Sequence, residues 1–148
     1  MGLVHADILL TNVDDLIAER LGHHLPRIRQ ERVRVMVDSG ALHLVITTDL
    51  QSLLELPKQG RARSVLANGQ KVEVDIVGPV QVEFGNRRVT CQALVIPGAD
   101  ECLLGAIPME GLDVIIDPAR QVLRVNPESP DMPLAMCKGT KTIESAPM

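Results

Sequence analysis

Aromatic side chains are almost absent from this chain of 148 residues, which contains one Phe and neither Trp nor Tyr. Modules that stack bases on aromatic platforms depend on such side chains, so the composition speaks against that class of binding protein. The net charge is −4, and the acidic and basic residues are interspersed rather than gathered into a basic patch. We therefore expect no nucleic-acid partner.

Cysteine is also scarce, because Cys91, Cys102 and Cys137 are an odd number without a Cys-x-x-Cys spacing. Such a set is a poor disulfide framework and a poor zinc signature, which predicts a reducing, cytoplasmic compartment. The four His residues match no common ligand spacing, so we expect no metal and no cofactor. No apolar run is long enough to cross a bilayer and no secretory signal is recognisable, so no membrane partner is expected.

Branched aliphatic residues dominate the apolar set, which makes up 45% of the chain. This composition suits a single mainly β domain, which we place at residues 1–126. Strands are predicted where apolar residues alternate or lie between turn signals, at residues 4–10, 33–37, 44–47, 63–67, 70–77, 80–84, 87–96, 114–116 and 122–125.

Helix signals are few. Asn12 can cap a helix that begins at Val13, and residues 49–56 form a second candidate with Thr48 or Asp49 as its cap. A third short helix is indicated near residues 107–112, and we expect one or two short helices in the folded domain. Residues 127–148 contain four scattered prolines among polar residues, which predicts a flexible C-terminal tail.

The segment with the clearest chemistry is Asp38-Ser39-Gly40-Ala41, directly after the strand at residues 33–37. A carboxylate at the end of a buried strand is costly to leave unpaired. Asp-Ser-Gly is also ordinary turn chemistry, and on the tripeptide alone the turn interpretation is favoured. Two later features favour a functional site at Asp38 over a simple turn. They are a hairpin with Asn68-Gly69 at its tip, and an apolar strand that runs into Leu104-Gly105 before a short helix.

This order resembles the retropepsin-like half of clan AA aspartic proteases, and in particular a group of small microbial members. The resemblance extends over about residues 1–130 and is specific as an ordered set rather than through any single motif. The stretches that carry it are Met1–Ile8, Val37–Ala41, Leu66–Gly69, Gly78–Val80, Val82–Phe84, Leu94–Gly98, Leu103–Glu110 and Val125–Pro127.

The resemblance implies the acid-protease fold, a closed and barrel-like β half that forms a two-fold homodimer. In such enzymes two carboxylates share one proton across a water molecule, because two like charges in contact cannot both ionise. One carboxylate activates the water and the other, protonated, polarises the scissile carbonyl. A chain with one Asp-Ser-Gly motif supplies only Asp38, so the implied partners are a second copy and a peptide or protein substrate.

The resemblance also assigns roles around Asp38, the implied catalytic residue. Ser39, Gly40 and Ala41 support the catalytic loop, and Leu104 and Gly105 form the second-half loop that packs against it. The implied flap, which closes over a peptide, has its tip at Ala67, Asn68 and Gly69. Candidates for the substrate pocket, for each of which a core role is equally open, are Leu42, Leu44, Val45 and Ile107.

Two functions stay open. The first is an aspartic endopeptidase, which the intact Asp38-Ser39-Gly40 favours. The alternative is a retropepsin-like dimer that binds peptides or regulates a partner with little or no turnover. It is favoured by Ser39 in place of the commoner Thr, by the single glycine at the flap tip, and by Leu42 and Ala106. Those two residues stand where retroviral proteases carry charged residues that support the dimer, so the dimer contacts must differ.

Overall fold

The computed structural model describes residues 3–135. Within this range the helices are α1 (Val13–Arg20), α2 (Thr48–Leu54) and α3 (Ala106–Leu112). The strands are β1 (Val4–Asn12), β2 (Gln30–Val37), β3 (Leu44–Ile46), β4 (Lys58–Val65), β5 (Lys71–Phe84), β6 (Arg87–Val95), β7 (Cys102–Leu104), β8 (Val114–Asp117) and β9 (Val122–Val125).

The first seven strands form one sheet in the order β1-β2-β7-β3-β6-β5-β4. Because β1 also pairs with β5, six of these strands close into a barrel and β4 lies outside as an edge strand. The strands β8 and β9 form a separate hairpin. The predicted mainly β fold with a closed barrel is confirmed.

Strand β5 closes the barrel because of its length. The sequence predicts separate strands at residues 70–77 and 80–84, but the chain forms one strand that runs through Gly78-Pro79. The register shifts between Val77 and Val80, so the first half of β5 pairs with β4 and the second half pairs with β1. The irregularity redirects the strand without ending it.

The barrel interior is filled with aliphatic side chains, as the composition predicts. Fully buried members include Ile8, Val35, Val80 and Leu104, each with 0% exposure. Burial of one such side chain stabilises the fold by roughly 1.5–3 kcal/mol. A second, smaller cluster lies beneath the β4–β5 hairpin and contains Val45, Val74 and Leu94.

All three candidate helices form, which is one more than the upper expectation. Helix α1 begins after Asn12 as predicted, and the side chain of Asn12 accepts a hydrogen bond from the Asp15 amide. The cap of α2 is Thr47 rather than Thr48 or Asp49, because the Thr47 side chain accepts from the Leu50 amide. Among residues 3–135, no helix combines the length and the apolarity that crossing a membrane requires.

The loop between α1 and β2 is fastened by a buried acid. Arg29 donates from Nη2 to Asp15 Oδ1 at 2.7 Å and from Nε to Asp15 Oδ2 at 2.8 Å. These side-chain hydrogen bonds lower the pKa of Asp15. The bidentate pair fixes the chain where it enters β2.

Residues 127–135, the described start of the predicted tail, are mostly exposed, but Ser129 and the Leu134 backbone are hydrogen-bonded to Asp113. Asp113 Oδ2 accepts from Ser129 Oγ at 2.5 Å and from the Leu134 amide at 2.8 Å, and Oδ1 accepts from Asn126 Nδ2 at 3.0 Å. Asp113 therefore fastens Ser129 and the Leu134 backbone to the domain, and the flexibility of the tail stays a prediction. The rest of the predicted tail, residues 136–148 with Cys137, lies outside the described residues.

The hydrogen bonds on Asp113 make the stability of the domain depend on pH. Donation from Ser129, the Leu134 amide and Asn126 lowers the pKa of Asp113 to about 2. A carboxyl whose pKa is depressed by folding stabilises the fold above its unfolded pKa of about 3.9, and the stabilisation is lost as the pH falls towards 2. We expect urea unfolding to show a steeper loss of stability from pH 5 to pH 2 in the natural chain than in Asp113→Asn. Equal pH dependence in the two proteins would contradict this assignment.

Candidate active site

Asp38 lies where the central strand β2 leaves the barrel. Strand β2 pairs with β1 on one side and runs parallel to β7 on the other, so Val37 lies opposite Leu104. The Asp38 amide donates to the Leu104 carbonyl at 3.0 Å and extends this pairing by one residue. The carboxyl group therefore stands at the end of a strand that is paired on both sides, and the residue is half-buried.

The turn after Asp38 holds its carboxylate in place. The Ala41 amide donates to the Asp38 carbonyl at 3.1 Å, and the Gly40 amide donates to Asp38 Oδ1 at 2.9 Å. A Cβ atom on Gly40 would lie 3.2 Å from the same oxygen, so a side chain there would crowd the carboxylate. Ser39 is exposed beside it, which leaves its hydroxyl accessible from outside the chain.

Gly105 brings the second half of the barrel against this turn. The Ala106 amide donates to the Ala41 carbonyl at 2.8 Å, and the Ile107 amide donates to the Leu42 carbonyl at 2.9 Å. A Cβ on Gly105 would lie 2.4 Å from the His43 carbonyl oxygen and 2.8 Å from that of Ala41. Only glycine permits this approach of two backbones.

A groove of about 510 Å³ opens beside Asp38. One wall comes from the turn at residues 38–41, the opposite wall from β4 and the start of its hairpin, and the floor from the small cluster around Val45. Its residues are mostly apolar: Asp38, Gly40, Ala41, Leu42, His43, Val45, Ala62, Arg63, Ser64, Val65, Leu66, Ala67, Leu94, Ile96 and Leu103. Its shape and lining suit an extended peptide with apolar side chains.

Of the four residues predicted to line the substrate pocket, two lie at the groove and two lie elsewhere. Leu42 and Val45 line the groove, whereas Leu44 is completely buried in the barrel core. Side chains alternate along β3, so Val45 faces the groove while Leu44 faces inward. Ile107 also lies outside the groove and lines a second depression along α3, because the chain turns away immediately after Gly105.

Of the hairpin residues, Ala67 reaches the groove, while Asn68 and Gly69 form the tip beyond it. Sequence reasoning missed Leu94, Ile96 and Leu103 as groove residues. Leu94 and Ile96 are two positions apart, and that period-2 pattern is the one signal that could have placed them on one face.

Asp38 is the sole acidic residue that lines the groove in the described part of the chain. Between residues 3 and 135, no three His, Cys, Asp or Glu side chains group as a metal site. Cys91 and Cys102 are not bonded to each other, and burial raises the pKa of both thiols, that of Cys91 to about 11. Thiols of this kind are poor nucleophiles at neutral pH. Among the described residues, the groove lining therefore offers one carboxylate, that of Asp38, and one imidazole, that of His43, for acid–base chemistry.

Residues 26–107, more than half of the chain, match the family model described as aspartyl protease. The chain belongs to this family. The matched range contains Asp38, the β4–β5 hairpin and Gly105, so the family similarity includes the whole groove. A comparison with curated proteins gives no match.

Solved structures show the same fold. The EIAV protease complexed with the inhibitor HBY-793 is 19% identical, with a TM-score of 0.52 over 70% of this chain and 82% of that protein. The retroviral protease-like domain of Ddi1 from Leishmania major is 14% identical, with a TM-score of 0.55 over 86% of this chain and 90% of that domain. At such identities the likeness establishes a retropepsin-like fold.

Gly105→Ala tests the approach of the two loops. We expect it to cost about 1–3 kcal/mol or more, because the added Cβ meets backbone atoms that cannot rotate away. Gly60→Ala is the matched control, since a Cβ there has no atom within 4 Å. Chemical unfolding of both variants gives the comparison, and equal stability losses would show that the loop contact is not tight.

Proposed function

We propose that this chain is an aspartic endopeptidase that acts as a two-fold homodimer, with the two Asp38 carboxylates forming one catalytic dyad. The observation that carries the proposal is the position of Asp38. Its carboxylate projects from the end of a barrel strand, is held by the Gly40 amide, and lies at a mostly apolar groove. Membership of the aspartyl protease family supports the same conclusion.

The dimer follows from the chemistry. Peptide hydrolysis of this type needs one carboxylate as the general base for water and a second, protonated one to polarise the carbonyl. One groove contains one carboxylate, and a two-fold axis beside the catalytic turn would supply the other. The exposed hydroxyl of Ser39 is available to hydrogen-bond across that axis and hold the two turns together.

We propose that the substrate is a peptide segment in extended conformation, lying between the Asp38 turn and the β4–β5 hairpin. Its backbone would pair with strand edges, and its apolar side chains would enter the space lined by Leu42 and Val45. In this proposal the hairpin tip, Ala67 to Gly69, closes over the peptide as a flap. In the described part of the chain Cys91 and Cys102 form no disulfide, which fits a reducing compartment, and we propose the cytoplasm.

A peptide-binding dimer with little turnover is the second candidate. The features in its favour are Ser39 in place of Thr, the single glycine at the hairpin tip, and the apolar Leu42 and Ala106. Each of these affects dimer support or flap motion rather than the carboxylate itself. Binding and cleavage must therefore be measured separately.

Asp38→Asn tests catalysis directly. A diverse peptide library is incubated with the natural chain and with the variant between about pH 4 and pH 7. We expect cuts between apolar residues, strongest at mildly acidic pH, and a loss of at least about 10²–10⁴-fold in the variant, because the acid–base pair is removed. Asp14→Asn is the control, since Asp14 is an exposed acid on α1 outside the groove.

The outcomes separate the two candidates. Cleavage that disappears in Asp38→Asn and persists in Asp14→Asn supports the endopeptidase. If neither the natural chain nor the variants cut while all of them bind peptides as folded dimers, the second candidate replaces the first. Cleavage that survives in Asp38→Asn would exclude Asp38 as the catalytic group.

A further inference from the structure

The groove beside Asp38 differs in charge from the chain as a whole. The chain has a net charge of −4. Among the residues that the structure describes, however, the groove lining contains a single acid, Asp38, and two basic residues, His43 and Arg63. The rest of the lining is apolar apart from Ser64. The general composition therefore does not explain why two basic groups stand in an otherwise apolar groove.

His43 is directed towards the groove by the alternation of side chains along β3. Leu44 is buried in the barrel core, whereas His43 and Val45 both line the groove on the other side. The His43 backbone is packed closely against Gly105, where a Cβ would lie 2.4 Å from the His43 carbonyl oxygen. Within residues 3–135 the histidine that forms an ion pair is His5, so the His43 imidazole is available to a bound peptide.

Arg63 lines the groove from β4, the wall opposite the turn at residues 38–41. The residue directly across on β5 is Glu73, but its carboxylate lies 3.3 Å from Arg61 Nη1. Asp75, the next acid on that side of β5, contacts Arg61 Nε at 3.2 Å and Lys58 Nζ at 3.4 Å. The acids of the hairpin thus pair with other cations, which leaves the Arg63 guanidinium without an ion pair in the described part of the chain.

A carboxylate is the group that both side chains can bind. The guanidinium of an arginine presents paired N–H donors that match the two oxygens of a carboxylate. An imidazole donates an N–H and is positively charged when it is protonated. The same two groups would repel a Lys or Arg side chain, so they discriminate in both directions. Within a peptide chain, the carboxylates are those of Asp and Glu side chains.

We propose that the groove takes extended peptides that carry an acidic side chain near the apolar residues, and that His43 and Arg63 bind its carboxylate. This inference rests on the peptide groove of the proposed function and narrows its substrate class. The floor around Val45 accounts for the apolar side chains of the peptide, whereas the two basic groups select the acidic one. In this role His43 and Arg63 determine specificity and do not break the bond.

The test measures which peptides bind rather than which are cut. The full chain carrying Asp38→Asn selects from a displayed library of random peptides with both ends blocked, so that side chains supply the carboxylates. We expect Asp and Glu to be enriched, and Lys and Arg depleted, near the apolar anchor residues. In a selected peptide, Gln in place of Glu should raise Kd at least about tenfold, because charge-assisted hydrogen bonds are lost.

The double variant His43→Gln and Arg63→Gln, in the same Asp38→Asn chain, should lose this preference. We expect it to bind the Glu and Gln forms of the selected peptide within about twofold of each other. The matched control is His24→Gln with Arg32→Gln, since both residues are exposed and lie outside the groove. Circular dichroism checks folding, and the two single variants, each expected to lose part of the preference, serve if the double variant does not fold.

The outcomes keep this inference apart from the proposed function. Acid enrichment that is lost in the double variant and kept in the control supports the inference, whether or not the natural chain cleaves. Binding of apolar peptides without acid enrichment, or enrichment that survives in the folded double variant, overturns the inference alone. A chain that binds no library peptide also overturns it and leaves the endopeptidase to its own cleavage test.

Discussion

The backbone contact between the Ala41–His43 segment and the Gly105–Ile107 turn is the constraint on which the site depends. Two amides of the second segment donate to carbonyls of the first, and a Cβ on Gly105 would overlap backbone atoms of Ala41 and His43. The contact joins the loop between β2 and β3 to the start of α3. It therefore fixes the Asp38 turn, the direction of α3 and one wall of the groove at the same time.

The two apolar clusters stabilise different parts of the domain. The larger one fills the barrel and holds the strands that carry Asp38 and Gly105. The smaller one, around Val45, Val74 and Leu94, lies under the β4–β5 hairpin and also forms the floor of the groove. Because the hairpin rests on few fully buried side chains, it is the part of the site that can open at the lowest cost in free energy.

Local signals predicted much of this structure. Alternation located β2, Asn-Gly located the hairpin tip, and the order of motifs singled out Asp38. The misses involve tertiary partners: Gly78-Pro79 reads as a strand break but sits at a register shift inside β5. Both faces of β3 are buried, so period alone could not tell Leu44 from Val45.

Strand β4 has a further consequence for the proposed dimer. In the described part of the chain it pairs only with β5, so its outer backbone edge is free along one wall of the groove. A two-fold axis would present two such edges running in opposite senses. A peptide has a direction from its N-terminus to its C-terminus, whereas a two-fold symmetric dimer has none. The two orientations of a bound peptide would therefore give the same complex. In one binding event a given subunit would contact the substrate residues before the scissile bond. In another it would contact the residues after that bond.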